Sequence, residues 1–174
     1  MLLWEVSAIL PSSHISPISP RLLRNPLHLL SLGFGSGLSP FAPGTCGTLV
    51  AIPLYLLLAQ LPLWYYLATV AVAFAIGVYL CGYTSTTLGE HDHSGIVWDE
   101  FVGFWITMIA VPANWQWILA GFVLFRLFDI VKPWPVKVAD AKMKGGFGIM
   151  FDDLLAALYA VIVLQIALQW VDSV

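Results

Sequence analysis

The chain is short of charge. Only 10% of its 174 residues are Asp, Glu, Lys or Arg, whereas soluble globular domains carry about 25%. Seven Lys and Arg residues are too few for the basic surface of a nucleic-acid-binding protein. A hydrophobic content of 60% excludes a disordered chain, which needs low hydrophobicity. The composition therefore indicates a small membrane-embedded protein with a single domain.

Three long segments contain no charged residue: 25–89, 101–125 and 154–171. These segments and the prolines between them predict five apolar helices, over 48–61, 63–83, 98–111, 115–131 and 152–171. Because the first and third helices are short for a bilayer, four membrane helices remain an alternative. We therefore expect an all-α fold, a polytopic membrane bundle of four to five apolar helices with its polar loops on one face.

The N-terminal 30 residues differ from the rest. Proline and serine are frequent over 11–20, so we expect residues 1–30 to form a mobile cytoplasmic tail and 31–174 to form the membrane-embedded domain. Lys and Arg residues near the polar loops place those loops in the cytoplasm. Seven tryptophans near the predicted helix ends are typical of an interfacial aromatic belt. They are Trp64, Trp98, Trp105, Trp115, Trp117, Trp134 and Trp170.

Acidic side chains cluster at the predicted helix ends. Of the 17 charged residues, 13 lie within 90–100 and 126–153. Five acids are expected to meet at one leaflet boundary: Asp99, Glu100, Asp129, Asp152 and Asp153. Carboxylate oxygens favour magnesium over zinc, so the cluster predicts a site for one Mg²⁺ ion or for a pair. The alternative is helix capping, since acids at a helix N-terminus are stabilised by its dipole and an Asp can serve as the N-cap.

Two basic residues accompany these acids. Arg126 and Lys132 share one helical stripe with Asp129, at spacings of three residues. They could bind a substrate phosphate, or they could anchor lipid headgroups. His91 and His93 flank Asp92 and could act as ligands, as proton carriers or simply as loop residues.

A glycine-rich segment covers residues 33–48. Its backbone amides could approach a phosphate, or it could simply be the loop that enters the membrane. The candidate phosphate-binding residues are Gly35, Ser36, Gly37, Thr45 and Gly47. The segment lacks the lysine of a P-loop, so nucleotide binding is unsupported.

Four motifs occur in a specific order along 25–171. They are Gly-x-Gly-Ser-Gly-Leu-Ser-Pro with Pro-Gly-Thr-x-Gly over 33–48, His-Asp with Ile-Val-Trp-Asp-Glu over 91–100, Phe-Arg-x-x-Asp-x-x-Lys-Pro-Trp-Pro over 125–135, and Gly-Gly-x-Gly-Ile-Met-x-Asp-Asp over 145–153. In these motifs the chain resembles the bacterial phosphatidylglycerophosphatase A family. The resemblance implies a magnesium-dependent, multi-pass enzyme of the bacterial inner membrane with its active site facing the cytoplasm. Such an enzyme hydrolyses phosphatidylglycerophosphate to phosphatidylglycerol and inorganic phosphate. The implied partner is a membrane phospholipid, without nucleic acid and without an obligatory protein partner.

Under this resemblance the candidate residues take specific roles. The metal ligands would be Asp99, Asp129, Asp152 and Asp153, with Glu100 as a ligand or general base. Arg126 and Lys132 would hold the phosphate, and His91 or His93 would transfer protons. Two alternatives remain. A phosphatidyl transferase of the CDP-alcohol class would need an Asp-Gly-x-x-Ala-Arg motif, which the chain lacks. A transporter or ion-binding membrane protein would use the acidic cluster as a coupling site.

Overall fold

The computed structural model describes residues 18–172, whose regular elements are all helices, with no strand among them. Two 3-10 turns, Pro20–Arg24 and Gly33–Leu38, flank the first α-helix. The α-helices are α1 (Pro26–Ser31), α2 (Pro43–Leu58), α3 (Leu63–Leu88), α4 (Trp98–Thr107), α5 (Trp115–Val131), α6 (Val136–Lys142) and α7 (Gly145–Asp172). The predicted all-helical fold is confirmed.

Helix α4 lies at the centre of the bundle. All ten of its residues are buried, and it packs against α2, α3, α5 and α7. Two of its side chains donate hydrogen bonds to neighbouring helices: the indole of Trp98 to the carbonyl of Ala73 on α3, and that of Trp105 to the carbonyl of Ala51 on α2, both at 3.1 Å. The assignment of Trp98 and Trp105 to an interfacial belt is therefore wrong, because both are core residues.

Two helices among the described residues are long and apolar enough to cross a membrane, Leu63–Leu88 and Gly145–Val171. The expected four to five membrane helices are thus not confirmed. Helices α2, α4 and α5 have 16, 10 and 17 residues, whereas a spanning helix needs about 20.

Helix α7 begins seven residues earlier than predicted, at Gly145. Glycine is normally unfavourable in a helix, but here the packing requires it. A β-carbon on Gly146 would lie 1.8 Å from the carbonyl oxygen of Val78 on α3. Asp152 and Asp153 therefore lie about two turns inside α7, and the interpretation of either as its N-cap is wrong.

The described part of the predicted tail packs against the bundle. His28 of α1 is buried, and its Nδ1 lies 2.9 Å from Oγ1 of Thr84 on α3. The backbone amide of Val97 donates to the carbonyl of Ser31, which fixes the start of α4 against α1. The boundary drawn at residue 31 falls at the end of α1, and the predicted mobility of residues 1–17 lies outside the described residues.

Candidate active site

A polar cavity of about 220 Å³ opens where α2, α4, α5 and α7 meet. Six carboxylates and two basic side chains line it, with backbone from the first turn of α2. The lining residues are Ala42, Pro43, Gly44, Asp92, Ser94, Ile96, Asp99, Glu100, Arg126, Asp129, Lys132, Asp152 and Asp153. Three segments that are distant in the chain, 92–100, 126–132 and 152–153, thus contribute charged groups to one space.

Three buried carboxylates form the inner part of this cavity. One oxygen from each of Asp99, Glu100 and Asp153 lies within 4.8 Å of the others. Asp99 and Glu100 are in the first turn of α4, where Oδ1 of Asp99 accepts a hydrogen bond from the Glu100 amide at 3.1 Å. Asp153 faces them from α7. We refer to these three residues as the inner acid trio.

The inner acid trio fits a divalent cation. Oε2 of Glu100 and Oδ2 of Asp153 are buried and have no hydrogen-bond partner among the described residues, although buried polar atoms are normally satisfied. Burial, together with the neighbouring carboxylates, raises the pKa of Glu100 to about 8 and that of Asp99 well above its ordinary value. Without a counter-ion these groups are costly to ionise, and hard oxygen ligands are those that Mg²⁺ prefers.

Arg126 lies beside the trio on α5. Its Nη1 is 2.7 Å from Oδ2 of Asp129 and 3.7 Å from Oε1 of Glu100. Nε of Arg126 is buried without an acceptor among the described residues. The guanidinium is therefore oriented by two carboxylates and retains a donor for an anionic ligand.

Lys132 lies at the other side of the cavity and links three helices. It caps α5, and its Nζ lies 2.9 Å from Oδ1 of Asp140 on α6 and contacts Oδ2 of Asp152 on α7. Although burial alone would lower it, hydrogen bonds to these carboxylates raise the pKa of Lys132 above its ordinary value. Asp92, Asp140 and Asp152 form a second group of three carboxylates, the outer acid trio, again with one oxygen each within 4.8 Å.

The start of α2 closes the cavity from a third side. Ala42 precedes the helix in a left-handed conformation, with φ 44°. At Gly44 a β-carbon would lie 2.2 Å from Oε1 of Glu100 and 3.0 Å from Nη2 of Arg126. A side chain at residue 44 would have to displace the charged ends of Glu100 and Arg126.

The cavity brings together seven of the predicted site residues, Asp99, Glu100, Arg126, Asp129, Lys132, Asp152 and Asp153, whereas the others lie elsewhere. His91 is exposed, with Nε2 3.1 Å from the carbonyl of Met143. His93 is buried; its Nδ1 accepts from the Gly95 amide, and its Nε2 is 3.8 Å from Oε2 of Glu90. Their proton-transfer role stays a prediction.

The glycine-rich segment also lies away from the cavity lining, apart from Gly44 and its two preceding residues. The predicted phosphate-binding residues Gly35, Ser36, Gly37, Thr45 and Gly47 are not part of the lining. Gly37 packs against Gly95, since a β-carbon on Gly37 would lie 1.9 Å from the carbonyl oxygen of Gly95. Gly47 packs against the side chain of Val97. Phosphate binding by this set stays a prediction.

Two acids near the cavity lacked a predicted role as ligands. Asp92 lines the cavity, and Asp140 forms part of the outer acid trio. Asp140 lies among lysines in a predicted loop, where an acid is expected to be solvated. Asp140 follows Lys132 by eight residues. This spacing indicates a contact between the two side chains only when the turn between α5 and α6 is known.

Known proteins are similar to this chain over most of its length. A family model described as Phosphatidylglycerophosphatase A matches residues 29–168. Phosphatidylglycerophosphatase A of Escherichia coli (strain K12) is 54% identical over 135 residues, covering 77% of this chain and 78% of the relative. The protein of the same name from Haemophilus influenzae is 51% identical over 157 residues, covering 89% and 96%.

A third relative carries a different name. It comes from Bacteroides thetaiotaomicron, is 46% identical over 151 residues and covers 82% of this chain and 93% of its own; it is named as a candidate phosphatidylinositol-3-phosphatase. No solved structure matches the chain.

Proposed function

Because the chain belongs to the phosphatidylglycerophosphatase A family, we propose that it hydrolyses the terminal phosphate of phosphatidylglycerophosphate with a magnesium ion bound at the inner acid trio. The predicted family membership is confirmed, and the chain is an enzyme, a phosphatase. The observation that best supports the metal proposal is the pair of unpartnered, buried carboxylate oxygens on Glu100 and Asp153.

The proposed reaction is direct hydrolysis, in which water attacks phosphorus, the bond from phosphorus to the glycerol oxygen breaks, and that oxygen takes up a proton. When bound, the divalent ion supplies Lewis acidity toward the phosphate and toward water. Asp99, Glu100 and Asp153 would hold it. Asp129 and Asp152 are paired with Arg126 and Lys132, so we assign them to orienting these cations rather than to first contact with the metal.

Arg126 is the residue best placed to bind the phosphate. Its guanidinium is held by Asp129 and Glu100, so it enters the reaction already oriented, with little rotamer freedom to lose. Lys132 adds a second positive charge on the cavity wall. Glu100 has two candidate roles, because Oε1 faces Arg126 whereas Oε2 is unpartnered: holding the ion or accepting a proton from water.

The test is phosphate release from phosphatidylglycerophosphate by purified protein in detergent, with magnesium and with a chelator. We expect release with magnesium and loss of release with the chelator. Asp153→Asn should reduce the rate by at least about a hundredfold. Glu90→Gln is the control, since Glu90 is half-exposed and not part of the cavity lining. Full release in chelator would contradict the magnesium requirement.

A second substrate is favoured by one specific observation, the 46% identical relative from Bacteroides thetaiotaomicron. The same assay with phosphatidylinositol 3-phosphate compares the two lipids directly. We expect a higher kcat/KM for phosphatidylglycerophosphate, because the relatives of 54% and 51% identity bear that name. The opposite preference would reassign the headgroup while leaving the phosphatase chemistry intact.

We also propose that the protein lies in the bacterial inner membrane with the cavity facing the cytoplasm. The exposed residues Lys137, Lys142 and Lys144 lie in or next to α6, which carries Asp140 against Lys132 of the cavity wall, and Arg21 and Arg24 are exposed on the first 3-10 turn. A Cys46→Ser protein carrying Lys142→Cys should resist an impermeant maleimide in intact cells and react after permeabilisation. Ala113→Cys, at the opposite end of the bundle, should react in intact cells, and the reverse pattern would overturn this orientation.

A further inference from the structure

The turn between α5 and α6 places one ammonium group between two carboxylates. Lys132 ends α5 in a left-handed conformation, with φ 45° and ψ 63°. Its Nζ bridges Oδ1 of Asp140 and Oδ2 of Asp152. Asp152 is buried, with 6% of its side chain exposed, whereas 37% of the Asp140 side chain is exposed.

The three groups differ in their relation to the cavity. Lys132 and Asp152 line it, but Asp140 does not; Asp140 borders a smaller space of about 110 Å³ behind them, next to Asp92 and Asp152. Asp140 can therefore influence a ligand in the main cavity through Lys132. A lysine side chain has four rotatable bonds and one point charge, so its position depends on the acceptors that hold it.

We infer that Asp140 is a positioning residue for the proposed phosphatase reaction, holding the Lys132 ammonium against Asp152 and at the cavity wall. The inference rests on the proposed function. The Lys132 ammonium then offsets part of the negative charge of the outer acid trio, through its contacts with Asp140 and Asp152. The competing interpretation is that Asp92, Asp140 and Asp152 hold a metal ion of their own.

A double-mutant cycle separates these interpretations. Asp140→Asn removes the charge at nearly constant volume and should lower kcat/KM about tenfold. Lys132→Met should lower it about a hundredfold. If Asp140 acts through Lys132, the double variant should match Lys132→Met alone. Losses that multiply, to about a thousandfold, would overturn the inference.

Two further measurements exclude a purely structural effect. Asp140→Glu keeps the carboxylate and should recover most of the activity lost in Asp140→Asn, with the same thermal midpoint in both variants. Lys137→Gln, an exposed position on the same helix, should retain wild-type rates. An equal loss in the Asn and Glu variants would contradict a role for the charge at residue 140.

Manganese binding, followed by the electron spin resonance signal of the free ion, addresses the metal directly. Asp140→Asn should bind Mn²⁺ within about twofold of wild type, whereas loss of a ligand would weaken binding at least about tenfold. A tenfold weakening would overturn the inference. Failure of the wild type to release phosphate would overturn the proposed function and this inference together, whereas an active wild type with multiplying losses would overturn this inference alone.

Discussion

Gly44 and Glu100 meet where the first turn of α2 reaches the inner acid trio, so closely that a β-carbon on Gly44 would lie 2.2 Å from Oε1 of Glu100. The atoms it would displace are the ends of the Glu100 and Arg126 side chains. Gly44→Ala should therefore lower kcat/KM by about ten- to a hundredfold through small displacements of these groups. Phosphate release from the lipid measures the effect.

Gly47→Ala is the matched control on the same helix. A β-carbon there would meet Cβ of Val97 at 2.7 Å, outside the cavity lining. We expect this variant to lose thermal stability, with a smaller loss of kcat/KM than Gly44→Ala. A larger loss of kcat/KM at normal stability would instead support the predicted phosphate-binding role of Gly47.

Arg126→Lys tests whether the fork of the guanidinium is needed. An ammonium group cannot maintain contacts with Asp129 and Glu100 and also present a flat donor edge to a phosphate. We expect kcat/KM to fall about a hundredfold, which corresponds to about 2.7 kcal/mol of transition-state stabilisation. Arg24→Lys, on an exposed 3-10 turn, should leave the rate unchanged. A loss below threefold in Arg126→Lys would mean that charge alone suffices.

Phe104→Ala should destabilise the bundle through its centre. Phe104 is fully buried in α4 and makes an edge contact with Tyr55, at a centroid distance of 5.7 Å. Its truncation should cost about 3 kcal/mol of unfolding free energy, measured by SDS titration in detergent micelles. Val123→Ala, exposed on α5, should change it by less than about 0.5 kcal/mol. Equal effects would contradict the central position of α4.

His28 should make stability depend on pH. Burial lowers its pKa below the ordinary 6.5, so the unfolded chain binds a proton more readily than the folded one as pH falls. The stabilisation that His28 provides is therefore full above about pH 6.5 and is lost on acidification. The difference in thermal midpoint between wild type and His28→Asn should be larger at pH 7.5 than at pH 5.5. A larger difference at pH 5.5 would show that the buried ring is charged.

The sequence predicts the carboxylate cluster well because long charge-free segments leave few positions for charge. Acids interrupting long apolar runs have to lie near helix ends or in a shared polar space, and Asp99, Glu100 and Asp153 do share one. This reasoning does not predict which acids bind a metal and which pair with a basic side chain. The spacing of three residues already indicates the Arg126–Asp129 pair, whereas only the structure pairs Asp152 with Lys132.

The roles of the glycines are the hardest to predict from the sequence. Local propensity assigns Gly145, Gly146 and Gly148 to a loop, yet they form the first turn of α7. Residue 146 has to be glycine because α3 leaves no room for a side chain there. The same type of constraint holds Gly37 against Gly95. Such close contacts depend on segments distant in sequence, so no local pattern distinguishes them from an anion-binding loop.

The enclosure of α4 has a consequence for the enzyme's surroundings. Bilayers differ in hydrocarbon thickness, and a spanning helix adjusts to the mismatch by tilting. In the membrane location proposed above, that adjustment would fall on α3 and α7, which carry exposed apolar residues, whereas all ten residues of α4 are buried within the protein. The positions of Asp99 and Glu100 are set by close-packed protein neighbours, so the proposed lipid substrate would meet the same arrangement of acids in membranes with short or long acyl chains.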